Sequence, residues 1–348
     1  MSSFRRNCVR CPEVLASWLP ALLVAGTFSL IVGGASARAE TQLRWKFSAG
    51  EQLQQKMNQQ MNVEMKLGET PIQTQMSQQM FLTWGVREVD DAGAAMITVT
   101  FDRMNMAIKS AGFEFSIDTD DDASGQENSP LGALADALGA LVGMKYDVKM
   151  APTGEIISVT VPEETRQALK QQFSAVPGMQ QMSDMFSDEG IKNMASQNLQ
   201  VFPDHPISPG DTWTREGEQN ISQLGKSVTK TTYEYVGPKD VNGSTLQEVK
   251  ATMETDFSQG MPEVPGATIE VEDQKMSGVI LFDNELGRMT KSDFDIELKS
   301  TLTIMGQTVG QQIKGKVETT MAPPGEAADA DTGESDAAKS SAGSETSK

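Results

Sequence analysis

Three groups of side chains in this sequence have the type and spacing to do chemistry: the carboxylates Asp118, Asp120 and Asp122, the carboxylates Asp293, Asp295 and Glu297, and the thioethers Met57, Met61, Met76 and Met80. The first imitates the start of a calcium loop, with acids at ligand positions one, three and five. Ala123 then stands where that loop turns on glycine, Ser129 stands where a bidentate glutamate should close it, and no helix precedes it. An acidic loop is the favoured reading and a weak calcium site the alternative. The second group falls on alternate residues of a strand pattern, which places the three acids together on the face turned away from the core. A solvated row is the ordinary meaning of that arrangement, ahead of an acid and base pair. Methionine is unusually frequent, with 21 Met against 13 Phe, 4 Trp and 3 Tyr. Flexible, polarizable thioethers at Met57, Met61, Met76 and Met80 suit a concavity that adapts to varied apolar ligands, so these four are the candidate ligand-binding residues. The competing reading is that they fill a core between sheet and helices.

Other reactive constellations are missing from the sequence. His205 is the only histidine, so neither a zinc site nor a His-dependent nucleophile is available. No Gly-x-Ser-x-Gly elbow or Gly-rich phosphate loop occurs. We therefore expect no cofactor and no enzymatic activity, with a Ser/Lys or two-carboxylate site as the remaining catalytic alternative.

The elements that must position these residues are mainly strands. Leu53, Met57, Met61, Val63, Met65 and Leu67 share odd parity, while Ile72, Met76, Met80, Leu82 and Trp84 share even parity, with Gly68-Glu69-Thr70-Pro71 between them. This spacing predicts a long antiparallel hairpin with one buried face. Near the other end, Phe294, Ile296, Leu298, Leu302 and Ile304 are even, and Val309, Ile313, Val317 and Met321 are odd. Such a parity flip at Met305-Gly306-Gln307 marks a second hairpin. Ser48-Ala49-Gly50-Glu51 and Ser208-Pro209-Gly210-Asp211 each open a similar succession of hairpins, which predicts two similar halves at about 41–161 and 201–321. Helical spacing is confined to the middle: a short apolar helix from Pro130, a second over 162–173 with Glu163 and Glu164 at its positive end, and a third over 182–199 with a pause near Asp188. The fold expected is mainly β with a helical insertion at 162–200, its duplicated antiparallel hairpins forming a curved sheet, half-barrel or barrel packed on the central helices.

Composition fixes the surroundings. Arg5, Arg6 and Arg10 precede an apolar run to about Val32, and Ala37-Arg38-Ala39 offers a signal-peptidase site, so residues 1–39 are expected to be a secretory signal peptide and the protein periplasmic or secreted. An uncleaved N-terminal anchor is the alternative, and would be the sole contact with a membrane. Cleavage removes both cysteines, four arginines and one glutamate, which moves the formal charge from −19 to −22. The product has no disulfide and must be held by its core. Its acidity excludes nucleic-acid partners, whose phosphates need clustered Lys and Arg. From Ala322 onward the chain lacks aromatic and large aliphatic residues, and 322–348 is expected to be a disordered acidic tail.

The segment Phe202-Pro203-Asp204-His205-Pro206-Ile207-Ser208-Pro209-Gly210-Asp211-Thr212-Trp213, with Leu43 to Glu51 and the Gly154 hairpin, resembles a family of secreted bacterial β-proteins defined only as a domain of unknown function. That resemblance implies a β-rich exported domain over roughly 41–321 and brings no activity or catalytic residue with it. More loosely, the layout is similar to the curved half-barrels of periplasmic lipoprotein and lipid carriers, in which an open sheet cradles acyl chains under a helical lid. Two functions follow as expectations: binding of a hydrophobic ligand such as a lipid or acyl chain, or a structural role in the envelope through contacts with other envelope proteins and no small-molecule ligand.

Overall fold

Alternating apolar and polar residues produce long strands here, and the computed structural model describes residues 40–67, 70–120, 130–174, 187–198, 201–221, 225–257, 268–304 and 306–324. The expected signal segment, Asp122 and the tail beyond 324 lie outside the described residues. In chain order the elements are β1 Gln52–Leu67, β2 Thr70–Val89, β3 Ala95–Ser110, β4 Phe113–Asp118, α1 Pro130–Gly139, β5 Lys145–Met150, β6 Ile156–Thr160, α2 Glu163–Ser174, α3 Asp188–Asn198, β7 Thr212–Ile221, β8 Gly225–Val241, β9 Ser244–Asp256, β10 Thr268–Asp283, β11 Arg288–Ile304 and β12 Gln307–Ala322. The third helix begins at Asp188, where the sequence suggests only a pause. The Ser187 hydroxyl accepts the Gly190 N–H at 3.0 Å and caps this helix.

All twelve strands join one antiparallel sheet in the order β6-β5-β3-β2-β1-β12-β11-β10-β9-β8-β7, with β4 paired to the outer half of β3. The sheet is curved and does not close, so of the curved sheet, half-barrel and barrel that the sequence allows, the open curved sheet is the one formed. The chain ends meet at its centre, where β1 pairs with β12 from Gln54↔Ala322 to Leu67↔Val309. Register shifts between Phe81 and Leu82, Val86 and Glu88, and Tyr235 and Gly237 mark bulges, and such extra residues bend and twist a sheet. The strands at the two ends of this path are β6 and β7. Helix α3 packs against both, and the N–H of Val161, just past β6, donates to its Asp188 Oδ1 at 2.8 Å. A helix laid over two open edges denies their unpaired backbone groups to other chains.

Both Ser-x-Gly-acid turns are built alike. Ser48 N–H donates to Glu51 Oε2 at 3.1 Å, Gly50 N–H to the Val86 carbonyl and Val86 N–H to the Glu51 carbonyl. In the second, Ser208 N–H donates to Asp211 Oδ2 at 2.8 Å, Gly210 N–H to the Tyr235 carbonyl and Tyr235 N–H to the Asp211 carbonyl. Gly50 and Gly210 have φ of 84° and 95°, a left-handed conformation that side chains disfavour. The segments leading into these turns run across one end of the sheet: Trp45 N–H donates to the Pro152 carbonyl, Lys46 N–H to the Gly287 carbonyl and Phe202 N–H to the Thr153 carbonyl, and Thr41 pairs with Ile207.

These crossing segments bring an aromatic floor into the sheet. Trp45 stacks on Phe47 and Trp84 at centroid distances of 6.0 and 6.5 Å and meets Phe282 edge-on at 5.5 Å. Phe282 continues to Phe202 at 4.7 Å, Phe202 to Trp213 at 6.4 Å, and Trp213 stacks on Tyr233 at 5.3 Å. Trp45, Phe202 and Phe282 are buried, as are Leu43, Leu53, Ile97 and Ile280 around them. The dense core therefore sits at one end of strands that run well past it: at about 3.3 Å per residue, β1 alone is roughly 50 Å long.

Candidate ligand-binding site

Beyond the aromatic floor, the parity that buries Leu53 and Trp84 continues along β1 and β2. It carries Met57 opposite Met80 and Met61 opposite Met76, so the register brings the four sequence-derived methionines together on the inner face. Their β3 neighbours differ in exposure: Met80 faces Met104, which is buried in the core, and Met76 faces Ile108, which is partly buried. On the other side of β1, Met61 faces Gly315, Gly315 faces Ile296 and Ile296 faces Met276. All four methionines are only partly buried, in contrast to the closed floor. The inner face thus divides into a packed aromatic end and an apolar, methionine-rich end with accessible side chains.

Two glycines shape this surface. A Cβ on Gly315 would collide with the Met61 sulfur, and a Cβ on Gly278 would collide with the Phe294 ring and come within 2.6 Å of the Asp293 carbonyl oxygen. Their missing side chains leave the space that Met61 and Phe294 occupy.

The carboxylate row occupies the opposite face. Asp295 and Glu297 are exposed, and Asp293 is partly buried between Lys291 at 3.4 Å and Lys316 at 3.8 Å. Lys291 also pairs with Glu318 at 2.8 Å, and this hydrogen bond raises the Lys291 pKa and lowers that of Glu318. In the calcium-like segment, Asp118 receives both the Nε and an Nη of Arg103, which also contacts Asp120 at 3.0 Å. Arg103 holds the Asp118 carboxyl below its ordinary pKa and supplies the positive charge that a cation would bring. Asp122 is outside the described residues, and among those described no cluster of three or more His, Cys, Asp or Glu has metal-binding geometry.

His205 is exposed beside Asp204, with Nδ1 3.2 Å from Oδ1. It borders a cavity of about 480 Å³ at the β7 edge that is also lined by Phe202, Trp213, Arg215 and Glu155. Here sequence reading missed a residue. Arg215 shares parity with Trp213 and lies opposite Thr231, two residues from Tyr233, so it occupies an inward position. The available signal was a charged residue on the apolar parity of Thr212-Trp213-Thr214-Arg215. Burial pushes the Tyr233 phenol pKa up, and the nearby Arg215 charge opposes that shift.

With the geometry in view, comparison with known proteins adds the family. A family model matches residues 92–289, more than half of the chain. The chain belongs to a family of unknown function, DUF6263. The match runs from the turn before β3 to the start of β11, and so contains Arg215, Met253 and Met276 but not the β1–β2 methionines. No curated protein matches the chain. Among solved structures, a lipovitellin structure concerned with lipid–protein interactions is similar at a TM-score of 0.42 and 10% identity over 80% of this chain, which spans only 25% of the lipovitellin chain. A Bacteroides fragilis protein described as exported, with a YmcC-like fold, is similar at a TM-score of 0.22 and 9% identity, covering 79% of this chain and 97% of that one. A β-barrel-like protein of a domain of unknown function, DUF1849, from Brucella abortus is similar at a TM-score of 0.18 and 8% identity, covering 79% and 100%. Among the described residues no helix is long and apolar enough to cross a membrane.

Proposed function

We infer that the protein is a non-enzymatic carrier, exported from the cytoplasm, that holds a hydrophobic ligand such as a lipid or acyl chain on the inner face of its curved sheet. The observation that carries this reading is the division of that face. An aromatic floor fills one end, while the strands continue past it with Met57, Met61, Met76, Met80, Ile108, Ile296 and Met276 in adjoining, partly accessible positions. A protein that needed this surface only as core would gain from burying it fully, since each buried CH₂ contributes about 0.8 kcal/mol. An apolar ligand provides that burial when bound, and flexible thioethers adjust to its shape. The role asks no chemistry of the chain beyond desolvation and fit.

Titration with a fluorescent fatty-acid probe tests the reading. Saturable binding is expected, with an affinity that changes when Met57, Met61, Met76 and Met80 are replaced by Leu in pairs. Absence of binding, or binding indifferent to all four replacements, removes this surface from the site.

A further inference from the structure

The inner face beyond the floor is almost free of charge, and its exception is specific. One cross-strand row runs Ile108, Met76, Met61, Gly315, Ile296, Met276, Met253, Thr231, Arg215, each residue opposite the next on successive strands from β3 to β7. Among the described residues between the aromatic floor and the far strand ends, Arg215 is the one charged side chain at an inward position of the main sheet; the others there are apolar, Gly, Ser, Thr or Gln. Its Nη1 is buried and has no hydrogen-bond partner. A guanidinium nitrogen withdrawn from water without an acceptor is unfavourable, and such an orphan asks for the group that completes it. Space lies beside the residue, because Arg215 lines the 480 Å³ cavity together with Trp213, Phe202 and the carboxylate residues Asp211 and Glu155.

We propose that Arg215 anchors the acidic head group of a single-chain amphiphile whose apolar tail lies along the Met253, Met276 and Ile296 row. The proposal rests on the carrier reading and adds the ligand's chemical class. A planar guanidinium presents paired donors that match a carboxylate or phosphate oxygen pair. Met253 and Met276 lie two and three strands from Arg215, roughly 10 and 14 Å along the sheet, so a tail leaving the cavity meets thioethers at once. The acidic exterior, at a formal charge of −19, leaves this inward cation as a local exception and favours an anion delivered with its own apolar tail over a free one.

The test titrates the full chain with a fluorescent fatty acid and with the methyl ester of the same probe. Wild type is expected to bind the acid more tightly than the ester by on the order of ten- to a hundredfold. R215M should reduce acid binding to the level of the ester, leave the ester unchanged, and melt no earlier than wild type because it deletes an unpartnered donor. R215Q, which loses the charge but keeps a polar side chain, should give the same loss of selectivity if R215M does not fold. Equal binding of both probes by wild type, or acid selectivity that persists in the variants, overturns the anchor while leaving the carrier. Binding of inorganic phosphate that R215M abolishes, with acid and ester bound alike, assigns the cation to a free anion and also overturns the anchor. If neither probe binds, the carrier reading falls and the anchor falls with it.

Discussion

At the scale of single residues, the inner face is tuned by contacts that substitution should expose. Replacing Met57, Met61, Met76 or Met80 by Leu nearly conserves volume, so each change is expected to cost less than about 1.5 kcal/mol in denaturant melts while shifting probe affinity. Gly278→Ala should behave differently. Its new methyl meets the Phe294 ring and a backbone oxygen that cannot rotate away, so a loss of about 1–3 kcal/mol is expected, whereas Gly315→Ala displaces mainly the flexible end of Met61, with the Gln60 carbonyl oxygen farther off at 3.2 Å, and should cost less. Burial pushes the Tyr146 phenol up to about 12 from an ordinary value of 10.0. Because the unfolded chain releases this proton first, the native state keeps its full advantage below about pH 10 and loses it as pH rises from there toward 12. Tyr146→Phe should therefore flatten the alkaline fall in melting temperature and leave neutral pH unaffected; an unchanged alkaline slope would show that Tyr146 is not the responsible group.

At the scale of elements, the two hairpins at the chain ends were legible because their parity is strict. Met57 to Leu67, Ile72 to Trp84 and Phe294 to Ile304 each declare a face, and the flip at Met305-Gly306 declares a turn. The aromatic floor and Arg215 were not legible in the same way. Trp45, Phe202 and Phe282 meet only because segments 41–47 and 201–207 cross one end of the sheet, and no local pattern states that crossing. Likewise, nothing in the sequence around Met61 says that Gly315 lies beside it, since the pairing of β1 with β12 joins the two ends of the domain. The start of α3 was blurred because Asp188-Glu189-Gly190 reads as a pause, when Ser187 is the cap of the helix and Asp188 its tie to Val161. Ser187→Ala is expected to cost about 1 kcal/mol by circular-dichroism melting. It should also raise aggregation, because fraying α3 uncovers the β6 and β7 edges.

At the scale of the whole molecule, the strands of both halves share one sheet. β1 has β2 on one side and β12 on the other, so a chain ending near Asn198 exposes a 16-residue strand as a new edge. Such a fragment is expected to aggregate; a sharp thermal transition with dispersed amide resonances would instead show that the first half folds alone. The same architecture frames the central claim, that long strands extend past a filled aromatic end to offer an apolar face to a ligand. The most direct measurement is mass spectrometry of solvent extracts from the protein purified under native conditions from its own host. An acidic single-chain lipid recovered at about one per chain is the expected result. Repeated recovery of lipid-free protein, with its methionines unprotected from oxidation and no probe taken up, would contradict it.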